Sequence, residues 1–281
     1  WLDDEAIQAW YESATPSSRG RPQRYSDLAI TTVLVIKRVF RLTLRAAQGF
    51  IDSIFALMNV PLRCPDYTSV SKRAKSVNVS FKTSTRGEIA HLVIDSTGLK
   101  VFGEGEWKVR KHGKERRRIW RKLHLAVDSN THEVVCADLS LNNVTDSEAF
   151  PGLIRQTHRK IRAAAADGAY DTRLCHDEMR RKKISALIPP RKGAGYWPGE
   201  YADRNRAVAN QRLSGSNARW KWTTEYNRRS IAETAMYRMK LLLGDSLTLR
   251  DYDGQVAEAM AMVRALNRMT KAGMPESVRI A

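Results

Sequence analysis

Apolar residues in the first part of the chain recur at the three- and four-residue spacing of amphipathic helices. Residues 28–40 follow Ser26, a favourable N-cap residue, and a second segment with one apolar face runs to about Met58. Prolines mark the next turn, after which Asp66 precedes a short basic segment. The pattern predicts three helices, the last of them ending near Ser76.

From residue 88 onward the helical spacing gives way to the alternation and the short apolar runs of strands. Three strands come first, and a capping box at Thr145 then begins a region in which helices and strands alternate. The predicted strands cover residues 89–94, 119–128, 131–139, 161–166 and 184–188, and the predicted helices cover residues 145–158 and 172–182. This order predicts an α/β fold in which a mixed sheet is covered by helices on both faces.

These patterns divide the chain into an N-terminal arm and linker (1–24), a helical region (25–86) and an α/β domain (87–275). Residues 191–222 are basic and rich in aromatic residues but follow no regular period, so we predict a short loop insertion there. The first residue is Trp1 rather than Met, which indicates that the natural N-terminus is missing or processed.

The helical region has the layout of a helix-turn-helix, in which a helix, a short turn and a small basic second helix follow one another. An ordinary helical bundle with a basic surface explains the same pattern equally well. If the second helix enters the major groove of DNA, the residues predicted to contact it are Thr68, Ser71, Lys72, Arg73 and Lys75.

The composition narrows the choice of partners. The 281 residues include 48 Lys+Arg against 30 Asp+Glu, which gives a net charge of +18. This charge predicts an anionic polymer as partner, most commonly nucleic acid, with a ribosomal-type protein or a membrane-surface binder as alternatives. No apolar run approaches the roughly 18 residues of a membrane-spanning helix. Three widely spaced cysteines without a CxxC pair fit a reducing, cytoplasmic location and indicate neither a zinc site nor a disulfide framework.

A strongly basic segment lies between the first two predicted strands, where Glu115 is the one acid among many cations. A solvated charged face is the ordinary explanation of such a run. Because like charges repel unless an anion lies among them, we instead predict DNA-backbone binding with a steep dependence on salt. The cations are Lys108, Arg110, Lys111, Lys114, Arg116, Arg117, Arg118, Arg121 and Lys122.

Two aspartates end neighbouring strands of the predicted sheet. Asp95 follows the strand 89–94 and Asp167 follows the strand 161–166, so both carboxylates should reach the same sheet edge. Glu233, on a helix across that edge, would complete a set of three oxygen donors suited to Mg²⁺ or Mn²⁺. Two such ions about 4 Å apart could support an in-line displacement at phosphorus. Taken singly, each aspartate is more often a turn or cap residue.

The segment 224–240, written as a helix, places Tyr226, Arg229, Glu233 and Lys240 on one helical face. The ordinary alternative is that Glu233 merely pairs with Arg229 one turn before it. The aromatic residues before this segment offer a second hypothesis. Trp197, Trp220 or Trp222 could stack on a base extruded near a cleavage site, although core packing is the commoner role of tryptophan.

The sequences VIDSTG around Asp95 and ADGAYD around Asp167, with the spaced quartet Tyr226, Arg229, Glu233 and Lys240, resemble bacterial insertion-sequence DDE transposases. They resemble in particular the group whose signature is Tyr, two residues, Arg, three residues, Glu, six residues, Lys. The resemblance covers roughly residues 25–270. The interval between the second aspartate and the glutamate looks short beside relatives with a long β-domain there, which leaves open whether a hairpin intermediate forms.

The resemblance implies a ribonuclease H-like (retroviral integrase) catalytic domain with Asp95, Asp167 and Glu233 as the catalytic triad holding two Mg²⁺ or Mn²⁺ ions. It implies that Tyr226, Arg229 and Lys240 contact DNA backbone near the cleaved end. The implied partners are double-stranded transposon ends and target DNA, bound by a homodimer or higher oligomer in the bacterial nucleoid. The predicted function is a DNA transposase. The alternatives are a structure-selective nuclease that does not join strands and a domesticated DNA-binding protein without catalysis.

Overall fold

The computed structural model describes residues 7–11, 24–101 and 119–274. In these ranges the α-helices are, in chain order, α1 Asp27–Val39, α2 Leu44–Leu57, α3 Tyr67–Arg73, α4 Asp146–Arg155, α5 Arg173–Arg181, α6 Ala202–Ser214, α7 Ala218–Thr223, α8 Ser230–Leu243 and α9 Tyr252–Ala272. The strands are β1 Ile89–Val101, β2 Trp120–Asp128, β3 Val134–Leu141, β4 Ile161–Ala165, β5 Ser185–Leu187 and β6 Ser246–Leu247. Two 3₁₀ turns cover Gly168–Tyr170 and Tyr226–Arg229.

The chain divides into two compact units, each built from segments that are separate in sequence. The first unit comprises Trp1–Phe81, Lys100–Ile119 and Met239–Leu266. The second comprises Lys82–Leu99, Trp120–Arg238 and Asn267–Ala281.

The helices of the first unit start where their N-cap residues predict. The side chains of Ser26, Thr43 and Asp66 accept hydrogen bonds from backbone N–H groups in the first turns of α1, α2 and α3. Such caps satisfy donors that a helix start leaves without an internal partner. A helix is thus present in each of the three segments of residues 28–76 in which the sequence predicts one.

A buried carboxylate on α9 joins separate segments of the first unit through hydrogen bonds. Glu258 on α9 is fully buried and accepts hydrogen bonds from Lys37 and Arg38 on α1. Its second oxygen accepts from the backbone N–H groups of Thr248 and Leu249 at 2.7 and 3.0 Å. A charge buried at this depth is stable because each oxygen has its donors.

The second unit is built on a mixed sheet with the order β3-β2-β1-β4-β5. β2 and β3 are antiparallel, whereas β4 is parallel to both β1 and β5. One face carries a core beneath α4 and α5 that includes Ile94, Phe150, Tyr170 and Met179. Helix α4 opens with the capping box predicted at Thr145. The predicted mixed α/β sheet is confirmed.

Two predicted elements differ in the structure. Strand β1 does not end before Asp95 but continues to Val101, where Lys100 and Val101 pair with β6. Residues 191–222 are not simply a loop, because they contain α6 and most of α7. The three cysteines, Cys64, Cys136 and Cys175, are buried and form no disulfide. In the part of the chain that the structure describes, no helix is long and apolar enough to cross a membrane.

Candidate active site

The two aspartates lie where the parallel pairing of β1 and β4 ends. The register runs from Ile89 opposite Ile161 to Val93 opposite Ala165, and Asp95 and Asp167 each follow two residues later. The prediction that the strands of the two aspartates are neighbours is therefore confirmed. The prediction that Asp95 stands at the end of its strand is wrong, since β1 continues past it to other partners. What ends at Asp95 is the pairing with β4.

The surroundings of Asp95 have opposing effects on the pKa of its carboxyl group. Burial raises the pKa of the Asp95 carboxyl above its ordinary value, and repulsion from Asp167 adds to this effect. The backbone N–H of Ser96, at 2.8 Å from Oδ1, and the guanidinium of Arg229 act in the opposite direction. The two aspartates therefore lie close enough for their charges to interact.

Asp167 is fixed by the turn that follows it. Its Oδ1 accepts a hydrogen bond of 2.8 Å from the N–H of Ala169 and caps the turn Gly168–Tyr170. Arg191 donates from its guanidinium to the carbonyls of Gly168 and Ala169, at 3.1 and 3.3 Å. Sequence reasoning missed this cation beside Asp167. Its signal was weak: a single arginine that directly follows two prolines.

Arg229 connects the third acid to the first. Its Nη1 donates to Oδ2 of Asp95 at 2.8 Å, and its Nη2 donates to Oε1 of Glu233. The side chains of Asp95 and Arg229 are 18% and 21% exposed, whereas that of Glu233 is 55% exposed. The simple pair of Arg229 with Glu233, which the sequence left as an alternative, is thus present and extends to Asp95. In this structure the guanidinium of Arg229 is directed at these two carboxylates.

Tyr226, which the resemblance implies as a DNA-backbone contact, is buried in this structure. Its hydroxyl donates to the carbonyl of Ala166 at 3.2 Å, directly before Asp167. Burial raises the pKa of Tyr226 to about 12, so the hydroxyl remains a donor at neutral pH. Trp220 packs against its ring, with centroids 5.5 Å apart.

The predicted single helix of residues 224–240 consists of two parts. Glu225 adopts a left-handed conformation with φ of 55°, the turn Tyr226–Arg229 is a 3₁₀ helix, and α8 begins only at Ser230. Tyr226 therefore does not share an α-helical face with Glu233. Lys240 does lie on the same helix as Glu233, in its last turn and half-buried.

The predicted stacking residues have different surroundings. Trp197 has the guanidinium of Arg204 3.6 Å from its ring centroid and packs edge-on against Tyr201, so one face of its ring is already covered. Trp220 is buried, which excludes it as a base-stacking residue in this conformation. Trp222 is 79% exposed and keeps the surface that stacking needs.

The residues in and directly after α3 that are predicted to contact DNA also have different surroundings. Arg73 donates to the Tyr25 carbonyl and pairs with Asp27, and Lys75 pairs with Asp251 at 2.8 Å. Ser71 and Lys72 are exposed. The basic residues Lys108, Arg110, Lys111, Lys114 and Arg116 lie outside the described residues.

The carboxylates of Asp95, Asp167 and Glu233 provide the hard oxygen donors that Mg²⁺ and Mn²⁺ prefer. A guanidinium between two of them shows that this position favours positive charge. Among the residues that the structure describes, no three acidic, histidine or cysteine side chains converge into a ready metal site. The donor chemistry fits a divalent ion, while Arg229 holds two of the donors.

A mixed sheet carrying this acid pair agrees with the comparisons with known proteins. The family described as "Transposase DDE domain" matches residues 86–268, and a second family of the same description matches residues 1–104. The chain therefore belongs to the transposase DDE domain family, which makes it a DNA transposase and an enzyme.

Among solved structures, the chain is similar to one described as a cryo-EM structure of the piggyBac transposase synaptic complex with hairpin DNA. The sequences are 12% identical, the match covers 95% of this chain and 72% of that chain, and the TM-score is 0.41.

Proposed function

We propose that this transposase binds the terminal inverted repeats of an insertion sequence, hydrolyses the phosphodiester at each end, and joins the freed 3′-hydroxyl to target DNA. The observation that carries the proposal is the acid cluster: Asp95 and Asp167 at the end of one parallel strand pair, and Glu233 connected to Asp95 through Arg229. We further propose a ribonuclease H-like catalytic domain and membership of the group with the Tyr-Arg-Glu-Lys signature.

Transposase DDE domains generally use divalent metal ions. We assign Asp95, Asp167 and Glu233 as the residues that hold two Mg²⁺ or Mn²⁺ ions in this protein. Bound there, the ions would lower the pKa of the attacking water or 3′-hydroxyl and stabilise the leaving oxygen. The contribution of the chain is to hold the two aspartates in place: Ser96 fixes Asp95, and the turn Gly168–Tyr170 fixes Asp167.

DNA is the proposed partner, bound by a homodimer or a higher oligomer because two ends must be processed. The net charge of +18 supports an anionic polymer as partner. Lys240, Trp222, Ser71 and Lys72 are the described residues that we assign to DNA, with the basic segment between β1 and β2 as a further backbone contact. Tyr226 supports the site from inside, because its hydroxyl binds the carbonyl next to Asp167.

The test is a strand-transfer assay. The protein is incubated with oligonucleotides carrying the inverted repeats of its own element, a target plasmid and Mg²⁺, and the products are separated on denaturing and native gels. Joined products support the proposal. Cleavage without joining would indicate a nuclease, and a gel shift without cleavage would indicate a DNA-binding protein.

Matched variants test the residue assignments. Asp95→Asn and Glu233→Gln should abolish both cleavage and joining while DNA binding, measured by gel shift, remains. Asp138→Asn changes another half-buried strand aspartate whose pKa burial also raises, and Glu225→Gln changes an exposed acid near the same helix. Both control variants should keep activity. A fully active Asp95→Asn or Glu233→Gln variant would refute the metal assignment.

A further inference from the structure

One guanidinium occupies two of the three proposed metal ligands. Arg229 donates to Oδ2 of Asp95 and Oε1 of Glu233 through two different nitrogens, so the fork of one side chain spans both carboxylates. Asp95 makes its other hydrogen bond through Oδ1, to the backbone N–H of Ser96. The oxygens that face Arg229 are therefore the ones left for a cation.

A guanidinium and a divalent cation compete for such a position. Both bind carboxylate oxygens, and two positive charges a few ångströms apart repel each other in a partly buried site. The charge of Arg229 is permanent, because a guanidinium does not deprotonate in proteins. A metal ion can therefore take both carboxylates at full strength only after the guanidinium has moved away.

Arg229 can be withdrawn by a suitable anion. Its side chain is 21% exposed, it lies in a short 3₁₀ turn, and its partner Glu233 is more than half exposed. A DNA phosphate matches the guanidinium fork in the same bidentate way as a carboxylate does. Since phosphate brings negative charge near the site, its arrival also favours a cation among the acids.

We propose that Arg229 couples DNA binding to metal binding: in the DNA-free protein it holds Asp95 and Glu233, and a DNA phosphate that takes the guanidinium frees both carboxylates for a divalent ion. The inference rests on the proposed function, since it assumes the metal role of these acids. It adds an order of events in which DNA binding precedes full occupation of the site by a divalent ion. Because linkage is reciprocal, the metal raises DNA affinity by the same factor.

The test measures metal binding rather than catalysis. Binding of Mn²⁺ is followed by the electron paramagnetic resonance signal of the free ion, for the wild-type chain, Arg229→Gln and the control Arg228→Gln. Arg228 is the neighbouring arginine, and it pairs with Glu225 instead of the acid cluster. Each protein is measured alone and with a saturating inverted-repeat duplex, and the Asp95→Asn variant with the same duplex supplies the baseline.

Without DNA, Arg229→Gln should bind Mn²⁺ at least about fivefold more tightly than the wild-type chain, the lower end of typical coupling between two ligands. Adding the duplex should raise the affinity of the wild type and of Arg228→Gln by a similar factor but leave Arg229→Gln nearly unchanged. Arg229→Lys, whose single ammonium lacks the guanidinium fork, should lie between the two. Circular dichroism melts establish that each variant is folded.

Two outcomes overturn the inference, and they can be told apart from failure of the proposed function. If Mn²⁺ binding depends on Asp95 but Arg229→Gln and Arg229→Lys bind no more tightly than the wild type, the coupling role is wrong and the metal site stands. If no Mn²⁺ binding depends on Asp95, even with DNA, the metal assignment itself fails.

Discussion

Tyr226 and Arg229 are three residues apart and their side chains interact with each other, but their further partners differ. The hydroxyl of Tyr226 binds a backbone carbonyl, whereas the guanidinium of Arg229 binds two carboxylates. The sequence predicted that both belong to the site. It offered the pair of Arg229 with Glu233 as an alternative, but it predicted neither the bond from Arg229 to Asp95 nor the partner of Tyr226. Spacing indicates which residues share a helix side but not which acceptor lies opposite. Tyr226 is buried, so its hydroxyl binds the nearby carbonyl of Ala166, and Arg229 binds Asp95 because that carboxylate lies opposite it.

The hydrogen bond from Tyr226 to Ala166 should contribute measurably to the free energy of unfolding. Tyr226→Phe removes the hydroxyl and leaves the ring in place, so the free energy of unfolding should fall by about 0.5–1.5 kcal/mol, the net value of one hydrogen bond. The measurement is urea unfolding followed by circular dichroism. Tyr237→Phe removes a hydroxyl from a tyrosine of α8 that is 65% exposed and should change nothing. Equal losses in both variants would contradict the role assigned to Tyr226.

At the scale of elements, local signals predicted the helices that have strong caps and failed where contacts distant in sequence decide. Ser26, Thr43, Asp66 and Thr145 each cap a predicted helix. By contrast, α6 and α7 begin without a side-chain cap. Helix α6 is held by Asp203, which accepts from Ser185 and Ala186 of β5. No pattern within residues 191–222 contains that information.

Strand β1 shows the same effect in the opposite direction. The residues after Asp95 are a serine, a threonine and a glycine, which favour a turn when read locally. They form a strand instead, and the Trp120 ring of β2 lies against Gly98. A Cβ at Gly98 would lie 3.1 Å from that ring. The glycine is there because the tryptophan needs the space, so its presence indicates close packing rather than a chain reversal.

The stabilisation that the ion pairs of Glu178 give to α4 and α5 should depend on pH. Arg181 and Arg155 donate to Glu178, whose side chain is 4% exposed, and they lower the pKa of its carboxyl to about 2. A folded-state pKa below the unfolded value stabilises the fold above the unfolded pKa, and this contribution is lost as the pH falls. Glu178→Gln should therefore lower the melting temperature at pH 6 and lower it less at pH 3.

Calorimetry at the two pH values checks this prediction. Glu200→Gln is the control, because its side chain is 87% exposed. The control should melt like the wild type at pH 6. A deficit in Glu178→Gln that is as large at pH 3 as at pH 6 would show that the glutamate contributes through packing rather than charge.

At the scale of the whole molecule, the two compact units are discontinuous in sequence, and their closing contacts join distant residues. Lys37 and Glu258, in the first unit, are 221 positions apart. In the second unit, Asn267 binds the backbone of Val134 across 133 positions. Patterns read along the chain indicate whether a segment forms a helix or a strand. They do not indicate which residues distant in sequence come into contact. The domain boundaries near residues 25 and 87 therefore remain predictions from composition.

The three buried cysteines are natural reporters of how each unit opens. Cys64 belongs to the first unit, and Cys136 and Cys175 belong to the second. Burial raises the pKa of these thiols to about 12, about 12 and about 11. A thiol reagent at pH 8 therefore meets groups that are both covered and protonated, and it should react far more slowly than with the unfolded chain.

Variants separate the two signals. Cys64→Ser leaves reporters only in the second unit, and a Cys136→Ala, Cys175→Ala double variant leaves one only in the first. Labelling in a series of sub-denaturing urea concentrations, read by mass spectrometry, should give one opening free energy per unit. Labelling in native buffer at the rate of the unfolded chain would contradict the burial of that thiol. The chain thus carries its own probes of whether its two units open together or one before the other.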